Sequence, residues 1–294
     1  MSTRLSRRSA LQKIAGATAV TAVASNLSHR LRAADKAAPK LKGRIHHSVC
    51  KWCYKEIELE EFCKAAREMG LQSVELLEVK DFPTLKKHGL TCAMVSGVPG
   101  GIVNGLNRLE NHDKIVAFME QTLPAVAEFG APNVICFSGN RKGLDDEKGL
   151  EHCAIGLKRI APIAEKHKVT VCMELLNSKV NHKDYQCDLS KWGVEVCQRV
   201  GSERFKLLYD IYHMQIMEGD ICATIKENGQ YFGHYHTGGV PGRNEIDDSQ
   251  ELFYPRIMQA IVETGYQGFV AQEFIPKRKD VLASLQQGVD ICDV

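Results

Sequence analysis

The sequence predicts an α/β fold: a single (β/α)8 barrel over residues 44–294. Three observations carry this. Strand-like and helix-like patterns alternate from residue 45 to the end. The alternation repeats eight times in about 250 residues, the size of one closed barrel. No glycine fingerprint of an open doubly wound sheet follows the first strand-like run.

Taken in order, unit one is the apolar run 45–49 and the amphipathic stretch 58–69, stopped by Gly70. Unit two is 73–77, a short helix at 83–87, and Gly89. Unit three is 91–95, a glycine-rich loop carrying Gly97, Gly100, Gly101 and Gly105, and a long helix over 113–129 containing Pro124, a residue that kinks helices. Unit four pairs 133–137 with 146–167. Unit five pairs 170–174 with 189–200, ended by Gly201. Unit six pairs 205–209 with 220–228, and unit seven pairs 231–236 with 254–264, stopped by Gly265. Unit eight is 268–272 with 280–292. No internal repeat and no interdomain linker is visible after residue 43.

At 294 residues, 44% hydrophobic and 25% charged, the composition is globular and excludes a disordered, collagenous or coiled-coil chain. No apolar run reaches the roughly 18–20 residues of a membrane-spanning helix. The net charge of +2 is unevenly spread. Residues 1–43 carry nine Lys/Arg against one acid, Asp35, and the remainder carries 29 basic against 35 acidic groups. The acidic body argues against a nucleic-acid partner. The basic front end reads as a targeting segment. Arg7-Arg8 precedes the apolar stretch 14–24, which ends in Ala22-Val23-Ala24. This pattern resembles a twin-arginine (Tat) signal peptide over 1–24, followed by a flexible linker over 25–43, and implies export to the periplasm. A non-functional leader would leave the protein cytoplasmic.

The eleven cysteines are scattered and mostly sit inside apolar patterns, where Cys acts as a small core residue. Cys50-x-x-Cys53 is the one close pair. A redox or zinc half-site is the alternative reading, but no second pair completes a four-thiolate site.

In a barrel of this type, functional side chains sit at the C-terminal ends of strands. Four successive strand-like runs end in an acid or a histidine: Glu174, Asp210, His236 (with His234 two residues earlier) and Glu273. Burying four ionisable groups without a partner is costly. A shared divalent cation removes that cost. Three carboxylates and one imidazole suit Mn2+, Mg2+ or Co2+, and the lack of thiolates speaks against structural zinc. His236 is the expected ligand, with His234 one layer deeper. Glu174 and Glu273 are the expected acid–base pair: a metal on two neighbouring oxygens of a hydroxy-carbonyl acidifies the C–H between them, one Glu removes the proton and the other returns it. His213 is a candidate for a substrate oxygen. Arg243 either meets a substrate anion or is a surface loop charge. Asn177 either binds substrate or orders its loop. Glu75 and His47 are weaker candidates for the mouth, since a lone His or Glu at such a place is more often solvated or stands behind the ligands. Trp52 and Tyr54 form either a pocket wall or ordinary packing. The glycine-rich loop lacks a following GK[ST] and is not read as a phosphate cradle. His112, His152, His167 and His182 are expected to be solvated.

The strings Met-Glu174-Leu-Leu-Asn177-Ser, Tyr-Asp210-Ile-Tyr-His213-Met-Gln, Gly-His-Tyr-His236 and Gln-Glu273-Phe resemble those of the xylose-isomerase-like TIM barrel superfamily, and most closely the hydroxypyruvate isomerase family. The resemblance covers about residues 44–294. It implies that Glu174, Asp210, His236 and Glu273 bind the metal and that Glu174 and Glu273 move the proton. It also implies an intramolecular oxidoreductase that interconverts hydroxypyruvate and 2-hydroxy-3-oxopropanoate through an enediol. Two positions depart from the pattern. Hydroxypyruvate isomerases tend to have Gln where this chain has His236, whereas ketose 3-epimerases have His. Those epimerases have a substrate-contacting Glu where this chain has Val180. A ketose 3-epimerase or another sugar or sugar-phosphate isomerase is therefore the alternative. A DNA-repair endonuclease and a non-catalytic sugar-binding protein are the other classes considered. The expected partner is a small hydroxy-carbonyl or sugar, and a homo-oligomer remains open.

Overall fold

A computed structural model describes residues 41–294. The expected signal peptide (1–24) and most of the expected linker (25–43) lie outside the described residues. Lys42, inside that linker, is already tied to the chain's C-terminal end: its backbone N–H donates to Asp293 Oδ2 at 2.9 Å and its Nζ to the Asp293 carbonyl at 2.8 Å.

The strands are β1 (His46–Cys50), β2 (Ser73–Glu75), β3 (Asn133–Cys136), β4 (Thr170–Glu174), β5 (Phe205–Asp210), β6 (Phe232–Thr237) and β7 (Phe269–Gln272). The helices are α1 (Leu59–Glu68), α2 (Phe82–Lys87), α3 (His112–Phe129), α4 (Asp146–His167) and α5 (Ser190–Val200). They continue with α6 (Ile211–Met217), α7 (Ile221–Asn228), α8 (Tyr254–Glu263) and α9 (Val281–Cys292). All strand pairs are parallel, in the order β2-β1-β7-β6-β5-β4-β3.

Seven regular strands stand where eight were expected. The missing one, 91–95, still occupies the gap between β2 and β3. It makes single parallel bridges from Thr91 to Ser73, from Val95 to Leu77 and from Val95 to Val134. Its ladder is interrupted because side chains replace backbone partners at Ala93. Ser73 Oγ accepts the Ala93 N–H at 2.8 Å, and Asn133 Nδ2 donates to the Ala93 carbonyl at 2.9 Å. The backbone groups are satisfied, but the regular strand pattern is lost. A second difference is α6, which starts directly after β5 with Asp210 as its N-cap: the carboxylate accepts the His213 N–H at 3.1 Å.

Strands of a closed parallel sheet are buried on both faces. Met94, Ile135, Cys172 and Leu208 pack inside the barrel, and a larger apolar layer including Val134, Tyr209, Phe232 and Tyr235 packs between strands and helices. A register shift between β5 and β6 matters for function. Leu207 pairs with Phe232, yet Leu208 pairs with His234, so Gly233 is an extra residue. Phe232 therefore packs outward while His234, two residues on, turns inward, which plain alternation forbids.

All eleven cysteines are free thiols, and nine are buried. Cys50 ends β1 and Cys53 lies in the following turn Lys51–Tyr54; burial pushes both thiols well above their ordinary pKa.

Candidate active site

Parallel register assembles the site. Asp210 lies beside His236 and His236 beside Ala271, while Glu174 lies beside Leu208. Glu273 follows β7, and its N–H bonds the Thr237 carbonyl at 3.1 Å. Each of Glu174, Asp210, His236 and Glu273 offers an atom within 4.8 Å of the other three, and all four are buried.

Three buried carboxylates need compensation, and Arg243 supplies part of it. Its Nη2 lies 2.9 Å from Asp210 Oδ2 and 2.5 Å from Glu273 Oε2, and its Nε donates to the Glu273 carbonyl at 3.2 Å. The guanidinium also sits 5.3 Å from the ring centroids of both Trp52 and Tyr212. Arg243 is thus engaged in the site, with its side chain 11% exposed, and the surface-charge reading is set aside. Burial raises the pKa of Glu174 and of Asp210. Burial works against the Glu273 anion too, but Arg243, His236 and the 2.7 Å hydrogen bond from Trp52 Nε1 hold its pKa well below the usual carboxylate range. Among the described residues no side chain hydrogen-bonds the Glu174 carboxylate, so it is the least restrained of the three.

His236 points its Nε2 at Glu75 Oε1, 2.9 Å away. Its Nδ1 lies 2.6 Å from Glu273 Oε2 and 3.7 Å from Glu174 Oε1, but lacks hydrogen-bond geometry to either. An imidazole with Nε2–H donated to a carboxylate leaves the Nδ1 lone pair free, the tautomer that a metal ligand requires. The orphaned Nδ1, three carboxylates and one guanidinium fit a divalent cation, and the four residues can hold one.

His213 is also of defined tautomer. Asn177 Oδ1 accepts the N–H groups of Val180 at 3.1 Å and Asn181 at 2.8 Å, which fixes the amide orientation. Asn177 Nδ2 therefore donates to His213 Nδ1 at 2.6 Å, and the His213 proton sits on Nε2. That Nε2 is buried without a partner, 3.7 Å from Asp210 Oδ2. Burial and the nearby Arg243 charge push the His213 pKa well down, so the ring is neutral. Asn177 Nδ2 also contacts Asn181 Oδ1 at 2.8 Å. With its polar atoms engaged in this way, Asn177 orders its loop and His213 rather than facing open space.

A cavity of about 380 Å³ opens onto Glu174, Glu273 and Arg243. Trp52 lines it, whereas Tyr54 is packed in the core, stacked on Phe62. Gly97 and Gly101 line it, and so does His182, which was expected to be solvated. His112 is not solvated either: it is buried and donates from Nε2 to the Leu106 carbonyl at 2.8 Å. Of the two weaker candidates for the mouth, Glu75 stands behind His236 and His47 lies away from the site. Glu75 is enclosed in the barrel interior, and the buried His47 lies 3.6 Å from Asp293 near the chain's end. His234 is one layer deeper than His236, bonded to Glu75 at 2.8 Å.

A family profile described as Xylose isomerase-like TIM barrel matches residues 63–290. The chain belongs to this family. Like the curated relatives that carry isomerase names, this xylose isomerase-like barrel is an isomerase. A human protein provisionally named hydroxypyruvate isomerase is 26% identical over 237 residues, covering 77% of this chain and 78% of that one. A 2-oxo-tetronate isomerase of Cupriavidus necator is 27% identical over 230 residues, covering 74% and 87%. Among solved structures, a protein from Brucella melitensis named AP endonuclease, family 2, superposes with a TM-score of 0.72 at 25% identity, covering 83% of this xylose isomerase-like chain and 96% of that one.

Proposed function

We propose that this chain is a metal-dependent intramolecular oxidoreductase that interconverts a short hydroxy-carbonyl pair through an enediol, with hydroxypyruvate and 2-hydroxy-3-oxopropanoate as the leading pair. The observation that carries this reading is the approach of Glu174, Asp210, His236 and Glu273 to within 4.8 Å of one another beside an open cavity. A divalent cation held there (Mn2+, Mg2+ or Co2+) supplies polarisation of two neighbouring substrate oxygens, which acidifies the C–H between them.

The chain's own residues do the rest. Glu174, 3.7 Å from His236 Nδ1 and with its pKa raised by burial, takes the proton from carbon. Glu273 is the other member of the acid–base pair, held in place by Trp52 and Arg243. His213 offers its Nε2–H to a substrate oxygen, because Asn177 occupies Nδ1. Arg243 bonds both Asp210 and Glu273, opposes the effect of burial on each carboxylate and holds the two in register. The names of the human and Cupriavidus necator relatives support the hydroxy-carbonyl class. The acidic body and the single histidine among the four ligands weigh against a nuclease with a histidine-rich metal cluster.

A second reading, 3-epimerisation of an uncharged ketose, is favoured by one observation. Arg243 is the one Lys or Arg among the described residues lining the cavity, and two carboxylates already occupy it. Much of the remaining wall is apolar, including Leu76, Val98, Ile102, Ile135, Phe137 and Leu176. Among the described residues no further Lys or Arg lines the cavity to meet a substrate carboxylate.

A proton-exchange assay in D2O with Mn2+ tests both readings over a panel of hydroxypyruvate, other short hydroxy-carbonyls and neutral ketoses. Deuterium uptake at carbon from hydroxypyruvate is expected. Uptake from ketoses alone moves the assignment to the epimerase reading, and uptake from none of them contradicts both.

A further inference from the structure

Glu75 is a fully buried acid that the proposed reaction does not use, and its surroundings are unusual. Its Oε1 lies 2.8 Å from His234 Nε2 and 2.9 Å from His236 Nε2, and its Oε2 accepts from Ser48 Oγ at 2.5 Å. It is 0% exposed, as are Ser48, His234 and His236. The residue after it, Leu76, has φ 56, the left-handed region that a leucine rarely enters. That turn lets consecutive residues serve the interior: Glu75 reaches the histidines while Leu76 lines the cavity.

We propose that Glu75 is a positioning residue whose carboxylate, braced by Ser48 and His234, fixes His236 as the Nε2–H tautomer and so presents the Nδ1 lone pair to the divalent cation. The inference rests on the metal-dependent reading above. Oε1 accepts from both histidine N–H groups and Oε2 from the Ser48 hydroxyl, so the carboxylate serves three donors without bringing a hydrogen of its own. A Gln in that place brings an NH2 group among donors. A His236 ring that accepts from that NH2 must move its own proton to Nδ1, the atom needed as ligand. Loss of such an outer carboxylate typically weakens metal binding about 10–100-fold.

The test is a double-mutant cycle read by Mn2+ titration calorimetry on the full chain, with the visible spectrum of the Co2+-loaded protein as a second readout. Glu75→Gln is expected to weaken Mn2+ binding by about 10–100-fold and to alter the Co2+ spectrum. His236→Gln replaces the imidazole with an amide that has no tautomer to set. In that background, Glu75→Gln is expected to change the affinity by less than about threefold. Equal losses in both backgrounds mean that Glu75 merely supports the barrel, and an unchanged affinity when His236 is intact means that it does not act on the ligand; either overturns the inference. Wild-type protein that binds no divalent ion overturns the metal reading, and the inference falls with it. Wild-type binding with an indifferent Glu75→Gln overturns the inference alone. Should Glu75→Gln fail to fold, Ser48→Ala is read in the same cycle: it frees Glu75 Oε2, and a loss of affinity confined to the chain with His236 intact is again required.

Discussion

Replacing Glu174 with Gln is expected to lower kcat by about 10²–10⁴-fold, the usual contribution of a positioned general base. The substitution is nearly isosteric, and no side-chain hydrogen bond to the carboxylate is lost among the described residues. The fold and the Tm should therefore survive. The Gln oxygen can still face a cation, so metal binding should weaken far less than turnover. Deuterium exchange at carbon separates proton abstraction from later steps, and it should fall in parallel with kcat. Glu273→Gln is a less clean probe, because it places an NH2 group against the donors of Trp52 and Arg243. Glu174→Gln with full activity would remove the proton-transfer assignment.

The second large effect concerns stability. Arg243→Met keeps most of the side-chain volume but withdraws the positive charge from Asp210 and Glu273, both buried. Breaking a buried ion pair by removing one partner costs about 3–5 kcal/mol, because the remaining charge is left uncompensated. In a domain of this size each kcal/mol lowers Tm by about 2–4 °C. EDTA-treated Arg243→Met should therefore melt well below EDTA-treated wild type. Added Mn2+ places two positive charges among the same carboxylates and should narrow the gap, since a ligand that binds only the folded state stabilises it. A variant as stable as wild type in EDTA would show that the carboxylates are compensated by something other than Arg243.

The four converging residues were legible in the sequence because each interrupts an apolar strand at its end, where an acid or histidine has no structural reason to stand. Their partners were not. Glu75 looks like an ordinary acid near a strand end, and the histidines that explain it lie 159 and 161 residues away. Arg243 sits in a loop, where nothing local separates a buried clamp from a solvated charge. The irregular segment 91–95 reads as a strand by pattern alone. What breaks it is a pair of side chains, Ser73 and Asn133, on its two neighbours. The inward turn of His234 depends on the extra residue Gly233, and alternation counted along β6 cannot show it without the partner strand. Helix α6 was missed because Asp210 was read only as a ligand, although an Asp directly before a helical run is also an N-cap signal.

The most direct measurement of the central claim is an anomalous difference map at the manganese edge from crystals grown with Mn2+. The account predicts one strong peak at bonding distance from Glu174, Asp210, Glu273 and Nδ1 of His236. A peak elsewhere in the barrel, or none at a saturating concentration of the ion, would contradict it.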